Sequence, residues 1–139
     1  MPETPAVVSD PLDPAECRAL AWTAEIGRLA FTGPSGTTVR PLNFVLVESD
    51  VLLRVGAGST VRAARGTVAL EIDDLDPLTR TGWSVVAEGH LEEVPDGPAP
   101  DRWPAADPDA VPMRLRVRRW SGRRLRRTGG STPGSVAEA

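Results

Sequence analysis

Apolar and polar positions alternate with a period of two along much of this chain, the mark of strands buried on one face. Val68, Leu70 and Ile72 share a face of a strand predicted from Thr67 to Asp73, and Trp83, Val85 and Ala87 do so within Gly82 to Val94. Further strands are predicted from Arg28 to Thr32, Thr38 to Glu48, Val51 to Val55 and Arg114 to Trp120. Gly33-Pro34-Ser35-Gly36, Ser49-Asp50 and Gly56-Ala57-Gly58 supply turn residues between them. In the last strand Leu115 and Val117 face one side while Arg114, Arg116 and Arg118 face the other. That period marks the basic run as a strand rather than a nucleic-acid-binding helix. Two short helices complete the pattern. Asp13, Pro14 and Glu16 fit the N-cap, N1 and N3 positions of the first, whose stripe of Cys17, Leu20, Ala21 and Ala24 should end near Gly27. Ser59 caps a second, which runs from Thr60 to Arg65 and stops at Gly66. Six or seven short strands with two short helices predict a mainly β fold, a small antiparallel barrel.

The ends read differently. Residues 1–12 are Pro-rich and aperiodic and predict a mobile arm; residues 128–139, rich in small and polar residues, predict a disordered tail. One domain is expected between them, over residues 13–127, with a Pro- and Asp-rich connection at 95–112 anchored by Trp103.

Composition narrows the chemistry. No apolar run reaches the roughly 18 residues that a membrane span requires, and the first residues lack a signal peptide's basic and apolar regions. With Cys17 as the lone cysteine, the expectation is a cytoplasmic protein without an internal disulfide or membrane partner. All 16 basic residues are arginine. A Schiff-base lysine is therefore excluded, and any phosphate must be met by arginine, hydroxyls or backbone N–H groups. The net charge of −3 hides an asymmetry: residues 1–113 carry 8 Arg against 18 acids, and residues 114–127 carry 8 Arg and no acid.

Several chemistries lack their residues. His90 is the lone histidine, without companions for a metal or a nucleophile to activate, which argues against a hydrolase. Glu71, Asp73, Asp74 and Asp76 do not have calcium-loop spacing and read as a solvated turn, so no metal site is expected. Cys17, within a helix, reads as buried and inert. Trp83 is first a packing residue, with Ser84 pointing the opposite way.

Five segments together resemble the FMN-binding split-barrel family typified by pyridoxamine 5′-phosphate oxidase. They are Gly27-Arg28-Leu29-Ala30-Phe31, Arg40-Pro41-Leu42-Asn43-Phe44, Gly58-Ser59-Thr60, Gly82-Trp83-Ser84-Val85 with Gly89, and Trp120-Ser121-Gly122-Arg123-Arg124. They occur in family order across about Glu16 to Leu125. The resemblance implies a homodimeric split barrel with flavin in two grooves between protomers, acting on a small-molecule substrate by hydride chemistry that resides on the cofactor. It singles out no catalytic side chain.

Under that resemblance, Ser59, Thr60 and Arg62 would meet the flavin phosphate, and the competing reading is an ordinary capped helix. The family often has a lysine where Thr60 stands, a deficit that Arg54 or Arg62 would make good. Arg40, Pro41, Leu42 and Asn43 would line the ring, with Asn43 equally able to pair inside a plain barrel strand. Ser84 is a further contact candidate, and Trp120 and Arg123 would reach the partner protomer's cofactor. The alternatives are deazaflavin F420 as cofactor, or a cofactor-free dimer that binds protein or nucleic acid through residues 114–127. Nucleic acid ranks below internal charge balance there, because stacking aromatics other than Trp120 are missing. Pyridoxamine-phosphate oxidase activity itself is disfavoured, since the body of the chain offers no second basic phosphate cluster.

Overall fold

The structure is a computed structural model that describes residues 6–95 and 109–128. In chain order it contains β1 (Ala6–Leu12), α1 (Pro14–Ala21), β2 (Ile26–Gly33), β3 (Gly36–Val47), β4 (Asp50–Val55), a 3-10 turn (Thr60–Ala63), β5 (Arg65–Asp76), β6 (Thr81–Glu93) and β7 (Val111–Thr128). The strands run antiparallel in the order β1-β7-β4-β3-β2-β5-β6, and β6 also pairs with β7, which closes the sheet into a ring. This is the split β-barrel expected from the sequence. The split lies at β3: residues Gly36 to Asn43 pair with β2, whereas β4 pairs with β3 only from Phe44 to Val47. Among the described residues, Gly36 to Asn43 of β3 therefore keep one edge without a strand partner.

Alternation decides what fills the ring. Val68, Leu70 and Ile72 point inward from β5 and Trp83, Val85 and Ala87 from β6, and all six are buried. They meet Leu29, Phe31, Leu53 and Leu115 in one core. Burying each such aliphatic side chain contributes about 1.5–3 kcal/mol. Helix α1 adds Cys17 and Ala21 to that core. Its start is set by a reciprocal capping box: Asp13 Oδ1 accepts from the Glu16 N–H at 2.8 Å, and Glu16 Oε1 accepts from the Asp13 N–H at 3.0 Å.

Four expectations need correction. Residues 1–12 are not wholly a mobile arm, because Ala6–Leu12 is a strand whose every residue has a partner on β7 between Gly122 and Thr128. Helix α1 ends at Ala21 rather than near Gly27, with Trp22 as its C-cap. The second helix is a single 3-10 turn, since Ala64 already leaves helical geometry and β5 begins at Arg65. The alternation of β7 breaks after Val117. A bulge there matches Glu88 with Arg119 but Gly89 with Val117, so Arg118 is an extra residue, Trp120 turns inward and Arg119 turns outward. Gly89 permits this close approach, because a Cβ on it would lie 1.8 Å from the Arg116 carbonyl oxygen. Trp103 and the tail beyond Thr128 fall outside the described residues.

Candidate ligand-binding site

Strand register assembles a broad outer face from residues far apart in sequence. One row runs Pro41, Arg28, Glu71, Val86, Ser121 across β3, β2, β5, β6 and β7. The row on one side is Val39, Ala30, Ala69, Glu88, Arg119; on the other side, Asp73, Ser84, Arg123 and Pro11 align, with Asn43 beside Ile26. The β2–β3 end is apolar and open, with Ile26 and Val39 about 59% and 60% exposed. The β7 end is basic.

At that basic end lies a cleft of about 460 Å³. Pro11 and Leu12 of β1 form one wall; Ser84 and Val86 of β6 and Arg119, Ser121 and Arg123 of β7 line the rest, together with Trp120 and Gly122. Ser84, Trp120 and Arg123, named separately as candidates from the sequence, line this one cleft. Trp120 itself is buried, and its indole N–H donates to the Ser49 carbonyl at 2.9 Å. It shapes the fold there and has no hydrogen bond to spare. Arg123 is exposed, and among the described residues its guanidinium makes one hydrogen bond, to Ser9 Oγ at 3.5 Å.

The turn after β4 is less open than expected. Ser59 Oγ accepts from the Val61 N–H at 3.1 Å, an N-cap contact, and Thr60 is exposed. Arg62 is already engaged: Nε and Nη2 meet the two Glu93 carboxylate oxygens at 3.1 and 3.3 Å, and Nη1 donates to the Ala57 carbonyl at 2.6 Å. A phosphate at this turn would compete with Glu93 for the Arg62 fork.

Arg40, Pro41, Leu42 and Asn43 lie along the half of β3 whose edge is unpaired. Leu42 is half-buried against the core, whereas Arg40, Pro41 and Asn43 are exposed. Arg54, half-buried on β4, follows directly after Leu53, the last β4 residue paired with β3. The sequence-derived residues therefore fall into two groups, one around the split edge and the 3-10 turn, the other in the β7 cleft.

Between the groups lies a charged centre that sequence reading places in a solvated turn. Strand β5 continues to Asp76, so Glu71 and Asp73 stand on the sheet face, and only Asp76 caps the turn, through Leu78 N–H at 2.9 Å. Arg28 Nη1 is shared between Glu71 Oε1 at 3.4 Å and Asp73 Oδ2 at 3.3 Å. Desolvation, reinforced by the neighbouring Asp73, raises the Glu71 carboxyl to about 7. Among the described residues no cluster suits a metal ion, and His90 is exposed. Burial also raises the Cys17 thiol, in keeping with an inert residue.

Sequence reading also missed Asp50 and the β1 wall. Asp50 is buried and accepts from the Val117 N–H and from Arg114 Nε, each at 2.9 Å. Its Ser49-Asp50 turn signal was visible, but its partners lie more than 60 residues away.

The sequence pattern of the pyridoxamine 5′-phosphate oxidase family matches residues 13–124. An uncharacterized Mycobacterium tuberculosis protein, Rv0080, is 38% identical over 92 residues, which span 61% of this chain and 60% of that protein. Among solved structures, an FAD-binding protein from Mycobacterium smegmatis superposes with a TM-score of 0.69 at 27% identity, covering 86% of this chain and 100% of that one. An FAD-binding protein from Mesorhizobium loti shares the fold at a TM-score of 0.71 and 22% identity, over 87% of this chain and 99% of that one.

Proposed function

The chain belongs to the pyridoxamine 5′-phosphate oxidase family, and on that footing we propose that it is a flavin-binding split-barrel protein that uses FMN to oxidise or reduce a small-molecule substrate. The observation that carries this reading is the division of the site residues into two half-sites at opposite ends of one sheet face. The open β3 edge offers Pro41 as packing surface for a planar ring and Asn43 as a hydrogen-bonding side chain, with Leu42 behind them against the core. The β7 cleft offers arginines, serine hydroxyls and an apolar wall. Each donor set fits part of a flavin, an aromatic ring on an anionic tail. A homodimer would join them, the β3 edge of one copy closing the cleft of the other.

The FAD-binding character of the 27% identical Mycobacterium smegmatis protein supports a flavin ligand. When bound, the flavin supplies hydride chemistry. In this reading the chain's residues position and shield: Arg123 and Ser84 hold the anionic portion, Asn43 orients the ring, and Pro11, Leu12 and Pro41 exclude water. No side chain is assigned an obligatory acid or base role. Among the described residues no helix is long and apolar enough to cross a membrane; with Cys17 as a buried free thiol, a cytoplasmic setting fits the proposal.

Deazaflavin F420 is the second reading, favoured by the exposed arginines of β7, which suit its longer anionic tail. Equilibrating the protein separately with FMN, FAD and F420 and measuring retained cofactor absorbance after gel filtration tests both. FMN retained at one per chain is the expected result, and retention of F420 alone would select the alternative. No retention of any cofactor, with no fluorescence quenching at micromolar protein, would overturn the proposal and leave a cofactor-free barrel that uses its Arg-rich strand for binding.

A further inference from the structure

One wall of the cleft is joined to the molecule differently from the rest. Ser84, Val86 and Arg119 to Arg123 line it from β6 and β7, strands that also anchor Trp83, Val85, Ala87 and Trp120 in the core. Pro11 and Leu12 line it from β1, and none of the seven residues of that strand is buried. Strand β1 lies at the end of the strand order and, among the described residues, pairs with β7 alone. Its side-chain ties are peripheral. Asp10 meets Arg126, both about half exposed, Ser9 Oγ accepts from Arg123 at 3.5 Å, and the Ala6 carbonyl accepts from Thr128 Oγ1 at 3.3 Å.

The downstream end of β1, by contrast, is fixed. Leu12 packs against the core, and the capping box of Asp13 and Glu16 starts α1 immediately after it, with Cys17 and Ala21 fully buried. Proline fixes its own φ, so a swing of β1 is confined to the few other backbone bonds between Asp10 and Leu12. Upstream of that pivot, exposed ladder hydrogen bonds and little apolar contact oppose separation, which marks a local unit of low stability. The ring does not depend on it. Gly122 to Leu125 of β7 pair on their other edge with Gly82 to Val85 of β6, so only Arg126 to Thr128 would fray with β1.

We infer that Ala6 to Pro11 form a hinged strap, which peels from β7 to admit the anionic portion of the flavin and closes beside it once it is seated. This rests on the flavin reading and adds how that site is gated. Register sets Pro11 next to Arg123 and Arg123 next to Ser84, so lifting the strap uncovers the two groups assigned to the anion. It also releases Arg123 from Ser9. The closed strap returns Pro11 as apolar cover, a contact that the open form lacks, and that difference in affinity is what draws the strap shut.

Hydrogen–deuterium exchange of the full chain, read by mass spectrometry at one protein concentration with and without saturating FMN, tests this. In the free chain the amides of β1 should exchange about a hundredfold faster than those of Trp83 to Glu88. FMN should slow β1 about tenfold and β6 by less. Ser9→Cys with Leu125→Cys, a register pair at disulfide spacing, locks the strap when oxidised. FMN association, followed by stopped-flow fluorescence quenching, should then fall about tenfold and recover on reduction with dithiothreitol. Free-chain β1 amides as slow as those of β6, no slowing by FMN, or equal association rates for locked and reduced protein would overturn the strap. With FMN still retained after gel filtration, any of these outcomes spares the flavin reading. Retention of no flavin would sink that reading instead, and exchange in the free chain still decides whether the strap opens.

Discussion

Asp50 ties the turn between β3 and β4 to β7 by taking the Val117 N–H at the bulge together with the Arg114 and Arg116 side chains. A buried carboxylate with these partners is costly to lose, because the donors around it are then left unmet. Asp50→Asn should lower stability by about 3 kcal/mol, read as a lower urea midpoint with an unchanged m-value. Arg62 presents the opposite situation, a functional candidate held by a neighbour. If it serves the flavin phosphate, Glu93→Gln should free its fork and tighten FMN binding severalfold in a fluorescence titration. Unchanged affinity would remove Arg62 from the site. Neither role was legible from sequence, since Asp50 and Glu93 sit 67 and 31 residues from the groups they bind. Local spacing carries no trace of such pairs.

At the scale of elements, legibility followed periodicity. The alternation of Val68, Leu70 and Ile72 is strict because β5 is half-buried, and the capping box of α1 is a local code. Strand β1 escapes both signals: none of its seven residues is buried, three of them (Ser9, Asp10 and Pro11) are polar or proline, and its order comes from pairing with a segment more than 100 residues away. Yet β1 supplies one wall of the cleft. Deleting residues 1–12 should leave the ring closed, because β6 and β7 pair without it. Circular dichroism should then retain the strand signal while FMN retention falls at least tenfold. Loss of the β spectrum would show instead that β1 is needed to hold β7 in place. The bulge was equally hidden, although Gly89, which makes it possible, belongs to a segment that sequence comparison singles out.

For the molecule as a whole, the fold class could be read from the chain, whereas the site could be read only as a set of residues. Arg40 to Asn43 and Ser84 with Arg123 were identifiable, but their division into two half-sites depends on which strands are neighbours. The Arg-rich strand likewise proved to be a mixture, with Arg114, Arg116 and Arg126 spent on the acidic body and Arg119 and Arg123 left facing outward. The length of that strand has a further consequence. Strand β7 contacts β4, β6 and β1, so the three elements that share it all precede it in synthesis. Until it emerges from the ribosome, β4 and β6 expose unpaired edges and the core lacks Met113, Leu115 and Trp120. Ring closure is therefore a late event of high contact order, and the nascent barrel depends on its final strand arriving before another chain's edge does.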